Sequence, residues 1–256
     1  MPSPNDASET TPLSAGVTGT APGLTVVLGG TGGIGAALVE ALSARGEQVL
    51  ELGRRTVPRL DYAEESSVAD AAQFLQQQLA QRGQTLTRLI VATGFLHGET
   101  ASGQQAEPER SWKHLSADAL SHSFQVNAIG PALVMRHFLP LLPRQGPCVA
   151  AFLSARVGSI GDNALGGWYA YRASKAALNQ LVRTASIELA RRNRQAVCMA
   201  LHPGTVDTGL SQPFAKTGLQ VRPPAEAAAE LLAVLDGLTA ADTGGFRDHR
   251  GQVVPW

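Results

Sequence analysis

Cysteine is scarce in this chain: only Cys148 and Cys198 occur, each inside an apolar run and with no second cysteine or histidine at metal-ligand spacing. A disulfide scaffold and a zinc motif are thereby excluded. Excess charge is missing too, because 21 Lys+Arg face 21 Asp+Glu. With no surplus of cations to displace counterions from phosphates, the electrostatic case for a nucleic-acid partner or an anionic membrane fails. No uncharged apolar stretch approaches the roughly 18 residues that a membrane-spanning helix needs. The opening residues 1–23 lack the basic start and apolar centre of a secretory signal and are rich in Ser, Thr, Pro, Gly and Ala. They read as a disordered tail, and the protein as cytoplasmic.

What is present suits one large globular domain, residues 24–256, since 256 residues that are 44% hydrophobic and 16% charged can bury a sizeable core. From Leu24 onward, short apolar runs alternate with longer alanine-rich segments of helical period, which predicts an α/β doubly wound parallel sheet covered on both faces. Strands are expected at Leu24 to Leu28, Gln48 to Leu52, Thr87 to Ala92, Pro147 to Leu153 and Gln195 to Leu201, with a weaker one around Val253. Helices are expected at Ile34 to Arg45, Ser67 to Arg82, Ala117 to Leu142, Trp168 to Arg192 and Ala225 to Leu235. Only Arg54 to Arg59 separates the second strand from Leu60-Asp61, far less than the dozen or so residues of a parallel crossover. The third strand is therefore expected to be truncated or missing.

The first strand runs into Gly29-Gly30-Thr31-Gly32-Gly33-Ile34-Gly35 at the start of a helix. Gly29 permits a tight turn, Gly33 lets the backbone approach a pyrophosphate and Gly35 lets the helix pack on the strand, while the helix N-terminus offers N–H groups and a positive dipole end. Dinucleotide binding is the direct reading. No Lys-Ser/Thr pair opens the helix, so this is not a nucleoside-triphosphate loop. At the end of the second strand, where a carboxylate would accept from ribose hydroxyls, the chain has Gly53-Arg54-Arg55. Guanidinium donors match phosphate oxygens, which predicts NADP(H) with Arg54 first and Arg55 second; the plain alternative is a solvated basic loop.

Further along, Tyr171-Arg172-Ala173-Ser174-Lys175 places Tyr171 and Lys175 four apart on one helix face. A phenol titrating near 10 needs a nearby cation to exchange a proton at neutral pH, and Lys175 supplies one. With these residues the chain resembles the short-chain dehydrogenase/reductase family from Leu24 to Trp256. Gly29, Gly33 and Gly35 match its GxxxGxG, Tyr171 and Lys175 its YxxxK, Asn127 its helix asparagine, and Pro203-Gly204-Thr205-Val206-Asp207-Thr208 its PGxxxT. The run Gly166 to Asn179 and the terminal Gly251 to Trp256 are most similar to the C-factor-like and sniffer-like carbonyl reductase branch.

The resemblance implies a Rossmann fold in which Tyr171 is the general acid/base, Lys175 binds the nicotinamide ribose and lowers the tyrosine pKa, and Asn127 orders a relay water. It also implies that Asp61 contacts the adenine, that Ala92-Thr93-Gly94 stands beside the ribose where Asn-Ala-Gly is usual, and that backbone groups of Val206 and the hydroxyl of Thr208 meet the carboxamide, with Pro203 and Gly204 also binding the cofactor. The family's substrate-binding serine is where the chain departs. Counting back three from Gly158 gives Ala155, with Ser154 one residue before it and Ser159 four after. Ser154 is favoured as the replacement and Ser159 is the alternative, although a one-residue shift along a strand reverses side-chain direction.

Other residues take plain readings: His97, His114 and His202 as satisfied or solvated, Cys148 and Cys198 as small core residues, and Trp168 and Tyr169 as a substrate wall or as packing. The leading function is an NADP(H)-dependent oxidoreductase of the carbonyl/alcohol type, working on a small or medium apolar ketone or aldehyde, under an open, permissive cover between Thr208 and Pro223. A dinucleotide-binding sensor or signalling protein with little turnover is the alternative. The alanine-rich outer faces of the helices from Ala117 and Trp168 predict a homodimer or homotetramer.

Overall fold

The computed structural model describes residues 23–210 and 221–256. All of the tail expected over 1–23 except Gly23, and most of the cover expected between Thr208 and Pro223, lie outside the described residues. The apolar runs form strands because both of their faces are buried. β1 (Gly23–Leu28) is buried at every position after Gly23, and β6 (Cys148–Leu153) and β7 (Ala196–His202) are buried almost throughout. With β2 (Gln48–Leu52), β3 (Thr85–Val91) and β8 (Phe246–Asp248) they make one six-stranded sheet in the order β2-β1-β3-β6-β7-β8, every pairing parallel. This is the expected doubly wound Rossmann-type sheet. The missing third strand is reduced to a single parallel bridge between Gly53 and Arg59, which leaves β2 as the edge.

Two expectations need correction. The last strand lies at Phe246–Asp248 rather than around Val253, which is 70% exposed and makes only an antiparallel bridge to Arg247. Phe246 decides the matter because it carries the buried side chain beside β7, while a three-residue strand ending Arg-Asp shows no apolar run to read. The expected helix Ala117 to Leu142 is also interrupted. It divides into α3 (Ala117–Phe124), a π-helical turn over Gln125–Ile129, α4 (Gly130–Phe138) and a 3-10 turn at Leu139–Leu141. Pro131 has no N–H to offer the carbonyl four residues earlier, that of Asn127, and its ring crowds that carbonyl. The Gly130 N–H bonds instead to Gln125, five residues back.

The remaining helices pack on opposite faces of the sheet. α2 (Glu65–Arg82), α4 and α5 (Tyr169–Arg192) cover one face through Val68, Leu75, Phe138, Leu178 and Val182. α1 (Gly33–Ala44) and α6 (Pro224–Asp236) cover the other through Leu38, Leu42, Leu231 and Leu235. Both cysteines are buried in these cores, as expected of small apolar residues. An unforeseen two-stranded hairpin, β4 (Gly98–Glu99) with β5 (Gln105–Ala106), follows β3. No helix among the described residues is long and apolar enough to cross a membrane, and no group of three metal-ligating side chains occurs among them.

The chain reverses direction across the sheet at β1, whose neighbours β2 and β3 lead to opposite sides, so the crevice lies at the carboxyl ends of β1 and β3. Phe152 lies in the centre of that sheet with no exposed surface. Phe152→Ala should cost about 3–5 kcal/mol, lowering the thermal midpoint by roughly 10 °C in calorimetry. An unchanged midpoint would contradict this packing.

Candidate functional site

The glycines of the turn after β1 each answer a steric demand. Gly29 has φ +84°, and its N–H reaches the Leu52 carbonyl at 2.8 Å. A Cβ on Gly35 would stand 2.1 Å from the Gly29 carbonyl oxygen, so only glycine lets α1 start this close to the turn. A Cβ on Gly33 would stand 2.6 Å from Thr208 Cγ2, which shows how tightly the loop after β7 closes over the helix start. The N-cap of α1 is Gly32, with no side-chain cap and no acidic residue in the first turn. Its positive end is thus one that could take an anion. Ile34 packs partly against the core beneath.

Around this turn the structure gathers several of the residues expected to line it. Arg55 donates to the Thr31 carbonyl at 3.0 Å, while Arg54 stands exposed at the end of β2. Asp61 pairs with Arg59 and accepts from the Ala63 N–H at 3.0 Å. The Ala92 N–H bonds the Leu28 carbonyl at 2.8 Å, placing Ala92 and Thr93 where a side chain on Gly29 would be. Tyr62 was not foreseen. Its hydroxyl lies 3.1 Å from Thr93 Oγ1 and its ring occupies the space a Cβ on Gly130 would need, 2.1 Å away. Burial raises the Tyr62 phenol pKa, and the signal for this residue was Thr93 itself, a hydroxyl standing where Asn-Ala-Gly has alanine.

Tyr171 and Lys175, one helical turn apart in α5, are both buried. Lys175 Nζ donates to the Leu153 carbonyl at 2.9 Å and lies 5.9 Å from the centre of the Tyr171 ring. Burial lowers the Lys175 pKa to about 7 and raises that of Tyr171. Asn127, in the π-helical turn, accepts from the Phe95 N–H and donates to the Phe95 carbonyl, both at 2.8 Å, and donates to Ser174 Oγ at 3.0 Å. Gly94 is close to both groups: a Cβ there would be 3.6 Å from Lys175 Nζ and 3.7 Å from Asn127 Oδ1.

The structure does not bring Ser154 to the tyrosine. Its hydroxyl is buried and donates to Asn179 Oδ1 at 2.6 Å, on the α5 side of the sheet. The strand alternation instead turns Ala155 toward the crevice, where it packs with Tyr171 and Leu96 beside Val157, Trp168 and Leu210. Ser159 Oγ accepts from the Asp162 N–H at 3.1 Å, a bond within its own loop. Trp168 therefore belongs to the apolar wall around Tyr171.

Beyond β7, Gly204 adopts φ +74°, and a Cβ there would collide with the Arg222 guanidinium. Arg222 holds this loop from outside by donating to the Pro203 carbonyl, pairing with Glu230 of α6 and bridging Val206 through its backbone. His202 is lowered to about 4, chiefly by burial, so its imidazole is neutral at physiological pH. His114 is exposed and His97 Nε2 lies 3.0 Å from the Gly209 carbonyl oxygen.

A family model described as short chain dehydrogenase matches residues 24–218. The chain belongs to the short chain dehydrogenase family. Over 137 residues this family member is 39% identical to the C-signal of Myxococcus xanthus, a match spanning 54% of this chain and 78% of that protein. The NADPH-bound carbonyl reductase from chicken fatty liver superposes with a TM-score of 0.73 at 25% identity, over 91% of this chain and 98% of that one. The carbonyl reductase Sniffer of D. melanogaster has a TM-score of 0.76 at 20% identity, over 93% and 100% of the two chains, a likeness of fold. The dehydrogenase is thus an oxidoreductase that resembles the carbonyl reductase-like branch.

The burial of Lys175 has a consequence for stability. Its amine deprotonates at about 7 in the folded dehydrogenase and near the ordinary 10.5 when unfolded. Between those values the unfolded chain holds more protons, so this residue makes stability rise with pH. The unfolding free energy of Lys175→Met minus that of the wild type, from denaturant titrations without added dinucleotide, should be most positive near pH 7 and decline toward pH 10. A difference independent of pH over that range would mean that Lys175 titrates as if exposed.

Proposed function

We propose that this protein is an NADP(H)-dependent oxidoreductase that interconverts a carbonyl and an alcohol, with Tyr171 as the proton-transferring group. The observation that carries the reading is the convergence of Tyr171, Lys175, Asn127 and Gly94 beside the uncapped glycine turn. The turn suits a dinucleotide by its own geometry, because Gly35 lets α1 start directly against it and the helix carries neither a side-chain cap nor an acidic first turn, which leaves its N–H groups to phosphate oxygens. When bound, the nicotinamide supplies or accepts the hydride. Gly29, Thr31, Gly32, Gly33, Ile34 and Gly35 would hold the pyrophosphate, Asp61 the adenine, Ala92, Thr93 and Gly94 the ribose, and Pro203, Gly204, Val206 and Thr208 the carboxamide.

The chain's own residues then account for the proton. Tyr171 alone is a poor acid/base at neutral pH, since burial raises its pKa. The Lys175 ammonium, once favoured by an anionic ligand nearby, stabilises the phenolate and makes exchange feasible. Ala155 offers no hydroxyl to the substrate oxygen, which leaves Tyr171 as its hydrogen-bond donor and an apolar wall of Leu96, Val157 and Trp168 around the carbon skeleton. A small apolar ketone or aldehyde suits that wall. A second reading, a dinucleotide-binding sensor with little turnover, is favoured by the same Ala155 and by the likeness to a protein named C-signal. Half-exposed Ile129 and Ile187 on the helical face support assembly as a homodimer or homotetramer, and a cytoplasmic location accords with the reading.

Arg54 and Arg55 support a preference for the 2′-phosphate. NADPH should bind at least tenfold more tightly than NADH, about 1.4 kcal/mol, and Arg54→Ala should remove most of that margin in fluorescence titrations. Equal affinities in the wild type would overturn the cofactor assignment.

Tyr171→Phe retains the ring and removes the transferable proton. Turnover, followed as loss of NADPH absorbance with a panel of carbonyls, should fall at least about 100-fold with NADPH affinity nearly intact. Full activity in the variant would dismiss Tyr171 as the acid, and an inactive wild type that binds NADPH would favour the sensor.

A further inference from the structure

Helix α5 begins in a way that its own sequence does not support. Its N-cap, Trp168, has φ +52°, the one positive φ among the described non-glycine residues, and provides no side-chain cap; the first turn contains no acidic residue. Such a backbone persists only where the surroundings over-determine it. Here the determinant is Glu109, 4% exposed, in the loop after β5. Its backbone carbonyl accepts from the Trp168 N–H at 2.6 Å, and its two carboxylate oxygens accept from the Ala170 N–H at 3.3 and 3.2 Å. The fit is close, since a Cβ on Gly167 would lie 3.2 Å from that same carbonyl oxygen. From the opposite side, Arg172 donates to the carbonyls of Gly166, Gly167 and Val157. The peptide groups just before Tyr171 are therefore held by a carboxylate on their N–H side and a guanidinium on their carbonyl side.

Glu109 also joins the two sides of the crevice. The segment containing Leu96, which packs on Tyr171, enters the β4–β5 hairpin, and the strand leaving that hairpin leads to Glu109. We propose that Glu109 is a positioning residue for Tyr171: by capping α5 from a separate loop, it sets the depth at which the phenol meets the substrate carbonyl. This rests on the reading of Tyr171 as the acid/base. A displacement of the phenol by even about 1 Å is enough to slow proton transfer strongly while leaving the pyrophosphate, adenine and carboxamide contacts, on other elements, unchanged.

The test compares Glu109→Gln, which keeps one acceptor in the same place, with Glu109→Ala, which keeps none. The alanine variant should lose at least tenfold in kcat with NADPH affinity within twofold of wild type, and amide exchange in a peptide covering 166–174 should accelerate; the glutamine variant should recover most of both. Should Glu109→Ala fail to fold, Glu109→Met fills the space without an acceptor and is held to the same outcome. A folded alanine or methionine variant with wild-type kcat overturns the proposal, as does a glutamine variant as impaired as alanine. If the wild type turns over no carbonyl, the functional reading fails separately, and exchange over 166–174 still decides: unchanged rates in Glu109→Ala or Glu109→Met overturn the clamp, and accelerated rates support it.

Discussion

The carboxamide of Asn127 is the interaction on which the arrangement of this site depends. With three hydrogen bonds it ties the π-helical turn to both backbone groups of Phe95, after β3, and to Ser174 in α5. These are the segments that carry Gly94 and the Tyr171-Lys175 pair. A buried amide with its groups satisfied holds its partners in one arrangement, because any other leaves a desolvated donor or acceptor unpaired. The π-turn that aims it follows from Pro131, whose missing N–H makes a regular helix impossible at that point.

Electrostatics at the centre of the site are set by burial rather than by ion pairing. Lys175 has a carbonyl partner, Leu153, and no resolved carboxylate effect, so desolvation alone pulls its pKa down while pushing that of Tyr171 up. The two shifts have the same origin and favour the uncharged forms of both. A ligand bearing negative charge would reverse that balance. The carboxylate-rich ion pairs lie elsewhere: Glu230 holds Arg222 behind the loop after β7, and Asp236 joins Arg45 and Arg88 at the opposite end of the sheet.

Most of the fold, and several of the residues that converge in the candidate site, could be read directly from the chain. Apolar runs of strand length and alanine-rich segments of helical period determine a parallel, doubly covered sheet, since no other arrangement buries both kinds of face. The short gap from Arg54 to Arg59 determines that a strand is lost, because a crossover has a minimum length. The glycine spacing and the Tyr171-Lys175 spacing are local properties, and local geometry follows sequence closely. What only the tertiary structure decided depends on packing between distant segments. It placed the last strand at Phe246, where a single buried ring outweighs the more apolar Val253-Val254. It turned Ser154 toward Asn179 and Ala155 toward Tyr171, because side-chain direction at a strand end follows the register with α5 and not the residue type. It set Tyr62 under Gly130 and Glu109 on the start of α5, partners separated by about sixty residues or more, whose contacts exist only once the sheet has brought their loops to one end.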